Sequence, residues 1–191
     1  MCYNTTMFLD FFAYIKIPMT ILHVLGVVFG MGAALMSDML FNFYSKDKKL
    51  NFNEVKTLSL LSKTVWFGLI IIFLSGTGLF LSDIPKYITS IKFLAKMSIV
   101  LVLLINGFIL HKYIWKQVIK EHFLTDPTKT RARQKAFAGG AISVISWVIV
   151  CSLGVIDSIP FTYWQIMLAY FVIIAFGIIT AITIERATFE K

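Results

Sequence analysis

This sequence predicts an all-α fold, a single-domain bundle of five transmembrane helices, and three observations predict it. Of its 191 residues 58% are hydrophobic, and the mean hydropathy is +0.82. The apolar residues gather into five segments, at 17–43, 64–81, 93–110, 136–156 and 161–184. Each is close to or above the ~20 residues that cross a ~30 Å hydrocarbon core at ~1.5 Å per residue. The charged residues fall mostly in the connections between these segments. In lipid only helices and closed barrels satisfy every backbone group, and apolar runs of this length suit helices.

The stretch before the first segment, MCYNTTMFLDFFAYIK, lacks a basic n-region and carries Asp10. It reads as an aromatic interfacial lead-in rather than a cleaved signal peptide. Pro18 is expected in the first helical turn, where its missing N–H costs nothing. The second and third segments are joined by SDIPKYITSIK, and the fourth and fifth by DSIP. The third continues as HKYIWKQVIKEHF, whose mixture of apolar side chains and lysines fits an interfacial helical extension. Asp126-Pro127 should end it, because proline disfavours helix at the residue before it. Trp115, Tyr163 and Trp164 are expected in the aromatic belts at the membrane surfaces. Cys2 and Cys151 make no CxxC or metal pattern and read as incidental thiols or small apolar residues.

Charge placement predicts orientation. Of the 18 lysines and arginines, all but Lys16, Lys86, Lys92 and Lys96 fall on one side of the five segments. That side is expected to be cytoplasmic, with the N-terminus outside and the C-terminus inside, in a bacterial-type inner (plasma) membrane. The net charge of +8 is then explained by anionic lipid, and nucleic acid is not a partner this pattern suggests.

Polar residues inside spans are costly and default to functional hypotheses. His23 and Asp38 share the first segment but lie about 22 Å apart along a straight helix, so they serve different sites. His23 and Lys96 both lie about 9 Å below the outer surface, counting from the outer ends of their helices. His111 belongs near the cytoplasmic surface, which excludes a bis-histidine site with His23.

His23, Gly26 and Gly30 fall on one helical face, an imidazole above a stretch without side chains. Two readings fit this spacing. One is a flat cofactor lying there with its iron on the imidazole, as in haem sites; the other is close helix packing through Gly-xxx-Gly. Lys96 either snorkels to the headgroups or turns inward to meet a carboxylate on a substrate or cofactor. Met97 and Met167 lie at similar depth, as iron ligands or core fillers.

Asp38, Lys63, His111 and the Glu185-Arg186 pair all fall near the cytoplasmic helix ends. They form either ion pairs tying the bundle together or a proton route. Asn106 is expected to make an interhelical hydrogen bond. No HExxH, Walker or glycine-rich nucleotide motif is present, and no two acidic residues share a depth in the bilayer.

The pattern LH-x2-G-x3-G-x-G at 22–32, followed by VWFGLIIIFLSGTGLFL and FLAKMSIVLVLLINGFILH, resembles the HemJ-type protoporphyrinogen oxidases. It is similar more loosely to CopD-like membrane domains, and the likeness covers about residues 17–120. It implies haem b ligated by His23 and a functionally required Lys96. Where that family has a tryptophan after the histidine, this chain has Val27, Val28 and Phe29. The family's basic residue toward the end of that helix is absent, with Asp38 in the neighbourhood.

The leading expectation is a haem-b membrane protein with His23 as axial ligand and Lys96 or Met97 opposite. It would transfer electrons to or from a quinone- or porphyrin-like substrate, with oxidoreductase activity. A second reading is a cofactor-free proton or ion transporter using Asp38, Lys63 and His111. A third is a structural subunit packing through Gly26/Gly30 and Gly139/Gly140, against another protein or a second copy of itself.

Overall fold

The computed structural model describes residues 3–46, 50–118, 129–156 and 160–189. Helix α1 runs Tyr3–Ser45, α2 Phe52–Ser82, the short α3 Ile84–Ile88 and α4 Ile91–Ile109. A π-helical turn, Leu110–Ile114, continues α4 into α5, Trp115–Val118; α6 is Thr130–Val155 and α7 Tyr163–Phe189. Among the described residues there is no strand. Among the described residues five helices are long and apolar enough to cross a membrane, as a transmembrane helical bundle requires.

Every helix outlasts its apolar segment at one end or both, because hydropathy locates the lipid-facing part while backbone hydrogen bonding carries on past it. The N-terminal lead-in is itself helical, so Pro18 lies inside α1 and not in its first turn. Capping hydrogen bonds mark the starts of α2, α4 and α7. The Glu54 carboxylate accepts from the Asn51 N–H (2.7 Å), Ser90 Oγ from Phe93 N–H (3.3 Å), and Gln165 Oε1 from Thr162 N–H (2.9 Å). Cys2, the 157–159 part of the DSIP connection, and the Asp126-Pro127 stop lie outside the described residues.

α1 lies along α2, α6 along α7, and α4 packs against α6 and α7, while α1 also touches α6. Small residues decide how closely α1 and α2 approach. A Cβ added at Gly68 would come within 2.6 Å of Gly30 Cα and 2.8 Å of Gly26 O. On the other side, Ile99, Leu153, Met167, Tyr170 and Ile174 form a core between α4, α6 and α7. Within it Ser146 Oγ donates to Ile142 O (2.6 Å), which leaves Tyr170 to donate its hydroxyl to Ser146 (2.9 Å). Large side chains such as Phe73 and Phe176, both 72% exposed, cover the outside, as lipid contact demands.

Candidate functional site

The structure separates the polar residues into two regions. In the first, His23 Nδ1 lies 3.1 Å from Ser75 Oγ across the α1–α2 interface. Ser75 is fully buried and donates its hydroxyl to Ile71 O at 2.6 Å. Its oxygen therefore accepts from His23, which places the ring proton on Nδ1 and the lone pair on Nε2. Lys96 is half-buried and near enough to act electrostatically on both His23 and Cys151. The Cys151 thiol in turn donates to Met31 Sδ at 3.4 Å. Histidine and lysine thus share a region as their matching depths require, and Cys151 joins them.

The open shelf expected beside His23 is filled. A Cβ on Gly26 would meet Ile71 and Ile72 side-chain carbons at 2.9 Å, and one on Gly30 would meet Trp147 Cη2 at 2.8 Å. These glycines admit α2 and an indole ring, which is the packing reading of Gly-xxx-Gly. Met97 is 47% exposed on the outside of α4, whereas Met167 is buried in the core as a filler. Along Gly26 and Gly30 that face is occupied by α2 and Trp147, so a flat cofactor has no open shelf there in this packing. Among the described residues no three His, Cys, Asp or Glu side chains gather as a metal site.

The second region holds a cavity of about 160 Å³ between α1, α2, α4–α5 and α6. Asp38 and His111 both line it, together with Ser37, Ser62 and Ser143. Its walls include the aromatic rings of Phe41, Trp66, Trp115 and Trp147. The Asp38 carboxylate makes no hydrogen bond or ion pair with the described residues. It fits because α6 offers Gly140, where a Cβ would stand 2.8 Å from Asp38 Oδ1. The π-helical turn carries Leu110, His111 and Ile114 into the lining, and His111 meets Trp66 edge-on at 6.3 Å. Trp147 is 2% exposed, and its indole N–H has no partner among the described residues.

The sequence-predicted cluster is only partly assembled here. Lys63 is exposed on α2 and does not reach the cavity wall, so it leaves the group. Glu185 pairs with Arg133 (3.1 Å) and not with exposed Arg186; the Arg133 guanidinium also lies 4.7 Å over Phe189. That buried pair ties the start of α6 to the end of α7. Trp115 is partly buried and lines the cavity, while Trp164 is 78% exposed. Asn106 makes the expected interhelical bond, donating to Gly139 O at 2.8 Å. His23 and His111 stay apart: their α2 neighbours, Ser75 and Trp66, are about 14 Å distant along that helix. Sequence reasoning missed Trp147 and Trp66 as cavity walls; the available signal was a tryptophan in mid-span instead of at a belt.

No protein-family model matches this chain, nor does any curated protein or solved structure. The likeness to the HemJ-type oxidases accordingly rests on the residues quoted for it.

Proposed function

We propose that this chain is a multi-pass membrane transport protein that binds a cation in the Asp38 cavity, with His111 at its mouth. One observation carries the reading: a carboxyl group inside a membrane-spanning helix faces a cavity with no counter-charge or hydrogen bond from the described residues. Such a group is expensive in a bundle unless its partner comes from outside the chain. A single carboxyl holds either a proton or a cation. When the cation meets the acid form, the carboxylate–cation pair forms and one proton leaves, so uptake strengthens as pH rises. By the positive-inside distribution this cavity faces the cytoplasmic half of the membrane.

Proteoliposomes carrying a pH-sensitive dye inside test the idea. Cation-driven proton movement should occur with the native chain and vanish in Asp38→Asn. Equal movement in both would end the proposal.

A redox reading keeps one support: Ser75 orients the His23 ring through Nδ1, as a partner of a metal-ligating histidine would. It would use haem b with Lys96 nearby and a quinone- or porphyrin-like partner. Protein purified from haem-replete cells decides it by absorption: a Soret band lost in His23→Ala selects this reading, and a colourless folded protein removes it. The structural-subunit reading loses its footing, since Gly26, Gly30, Gly139 and Gly140 all meet side chains of this same chain.

A further inference from the structure

The chemistry of the cavity wall narrows what the cation is. We infer that the ligand is a small organic monocation, an amine or quaternary ammonium compound carrying an oxygen acceptor; this rests on the transport reading above.

Size comes first. A cavity of about 160 Å³ is comparable to the engineered cavity of about 150 Å³ that holds benzene in another protein, so the occupant has roughly six to eight non-hydrogen atoms. Charge comes second. Asp38 is the one carboxylate among the residues lining the cavity. A divalent metal favours several charged or imidazole ligands, and the described residues gather no group of three His, Cys, Asp or Glu side chains. The remaining wall is largely apolar, with aliphatic side chains such as Leu58, Leu69 and Leu103 beside the aromatic Phe41, Trp66, Trp115 and Trp147. Such a wall suits the carbon groups of a weakly hydrated organic cation, and aromatic rings attract its charge most strongly when water is excluded. A neutral occupant would leave the carboxylate without a complement, and a doubly charged one would exceed it.

Polarity comes third. The Trp147 N–H is an orphan donor on a residue that lines the cavity and is 2% exposed. An unmet buried donor is costly, so a ligand oxygen there would relieve it. One molecule with a cationic nitrogen and a neighbouring hydroxyl satisfies Asp38, the rings and Trp147 together. Serines 37, 62 and 143 supply further hydroxyls on the same wall.

The experiment is calorimetric titration of the purified full-length protein in detergent with choline, tetramethylammonium and 3,3-dimethylbutan-1-ol. The last is the uncharged carbon isostere of choline. Choline and tetramethylammonium should bind, and the isostere should bind at least about tenfold more weakly. Asp38→Asn should weaken choline about tenfold or more. Trp147→Phe keeps an aromatic ring but removes the N–H and part of the ring surface, so it should weaken choline about 3 to 10 times and weaken tetramethylammonium distinctly less.

A phosphatidylcholine headgroup presents the same chemistry. Displacement of choline by dihexanoylphosphatidylcholine assigns a lipid source, and its failure to displace assigns a free solute; both outcomes keep the inference. Equal binding of choline and its isostere overturns it, because the cavity would then be merely apolar. Absence of binding by both cations also overturns it. If Asp38-dependent proton movement persists in proteoliposomes in that case, the transport reading survives and only the organic ligand falls. If that movement is absent too, both fall.

Discussion

His23 and Asp38 stand on the same helix, both polar, both at membrane depth, and the structure treats them oppositely. His23 is consumed by the fold: Ser75 accepts a hydrogen bond from its ring N–H, and the glycine positions beside it are filled by Ile71, Ile72 and Trp147. Asp38 is left open, with a glycine opposite, a cavity in front and no hydrogen bond or ion pair from the described residues. A polar side chain in lipid therefore marks function only after its hydrogen bonds have been accounted for. The histidine carried the stronger sequence pattern, yet the aspartate carries the unanswered chemistry.

The largest effect should come from the packing that closes the His23 region. In Gly68→Leu the new side chain meets backbone of Gly30 and Gly26, which cannot move aside as a side chain can. The loss should be about 3 kcal/mol or more, read as a lower thermal midpoint in detergent. Gly32→Leu, with nothing within 4 Å of its Cβ, should change the midpoint little. Equal effects would mean that α1 and α2 do not meet through these glycines. A smaller loss, about 1.5–3 kcal/mol, is expected for Glu185→Gln, because the buried Arg133–Glu185 ion pair loses its charge-assisted hydrogen bond.

Asp38→Asn separates the two regions by function. The amide leaves shape and volume nearly unchanged and removes only the charge, so the thermal midpoint should hold within about 1 kcal/mol. Cation-linked proton movement should fall to background. In His23→Ala it should continue, on protein that is somewhat less stable. If the two variants exchange these outcomes, the working site lies at His23 and the comparison is inverted.

The helical bundle was legible because long apolar runs admit few other folds in lipid. Depth along each helix was legible too, from the fixed rise per residue: it paired His23 with Lys96 and kept His23 from His111. Azimuth was not. Whether Gly26 and Gly30 faced a cofactor or another helix depended on Gly68, a single residue in a segment with no other mark. The same limit hid the cavity, which needs Asp38, Trp66, His111, Gly140 and Trp147 from four parts of the chain to turn inward together. Lys63 sits at a plausible depth but on the wrong face, and Glu185 chose Arg133 on another helix over its sequence neighbour.

The smallest predicted effect is the most specific test of what holds His23. Ser75→Ala removes the hydroxyl that accepts from Nδ1, while Ile71 O keeps its place in the helix. The ring then loses its partner in a half-buried setting, a cost of about 0.6 to 1 kcal/mol for an interhelical bond in a membrane. His23→Ala alone should cost more, through lost contact. In the double variant, Ser75→Ala should add almost nothing, giving a coupling of about 0.6 kcal/mol between the two sites. Strict additivity would show that the pair does not interact. The histidine would then be free to serve as a ligand, and the distinction between a satisfied His23 and an unsatisfied Asp38 would no longer hold.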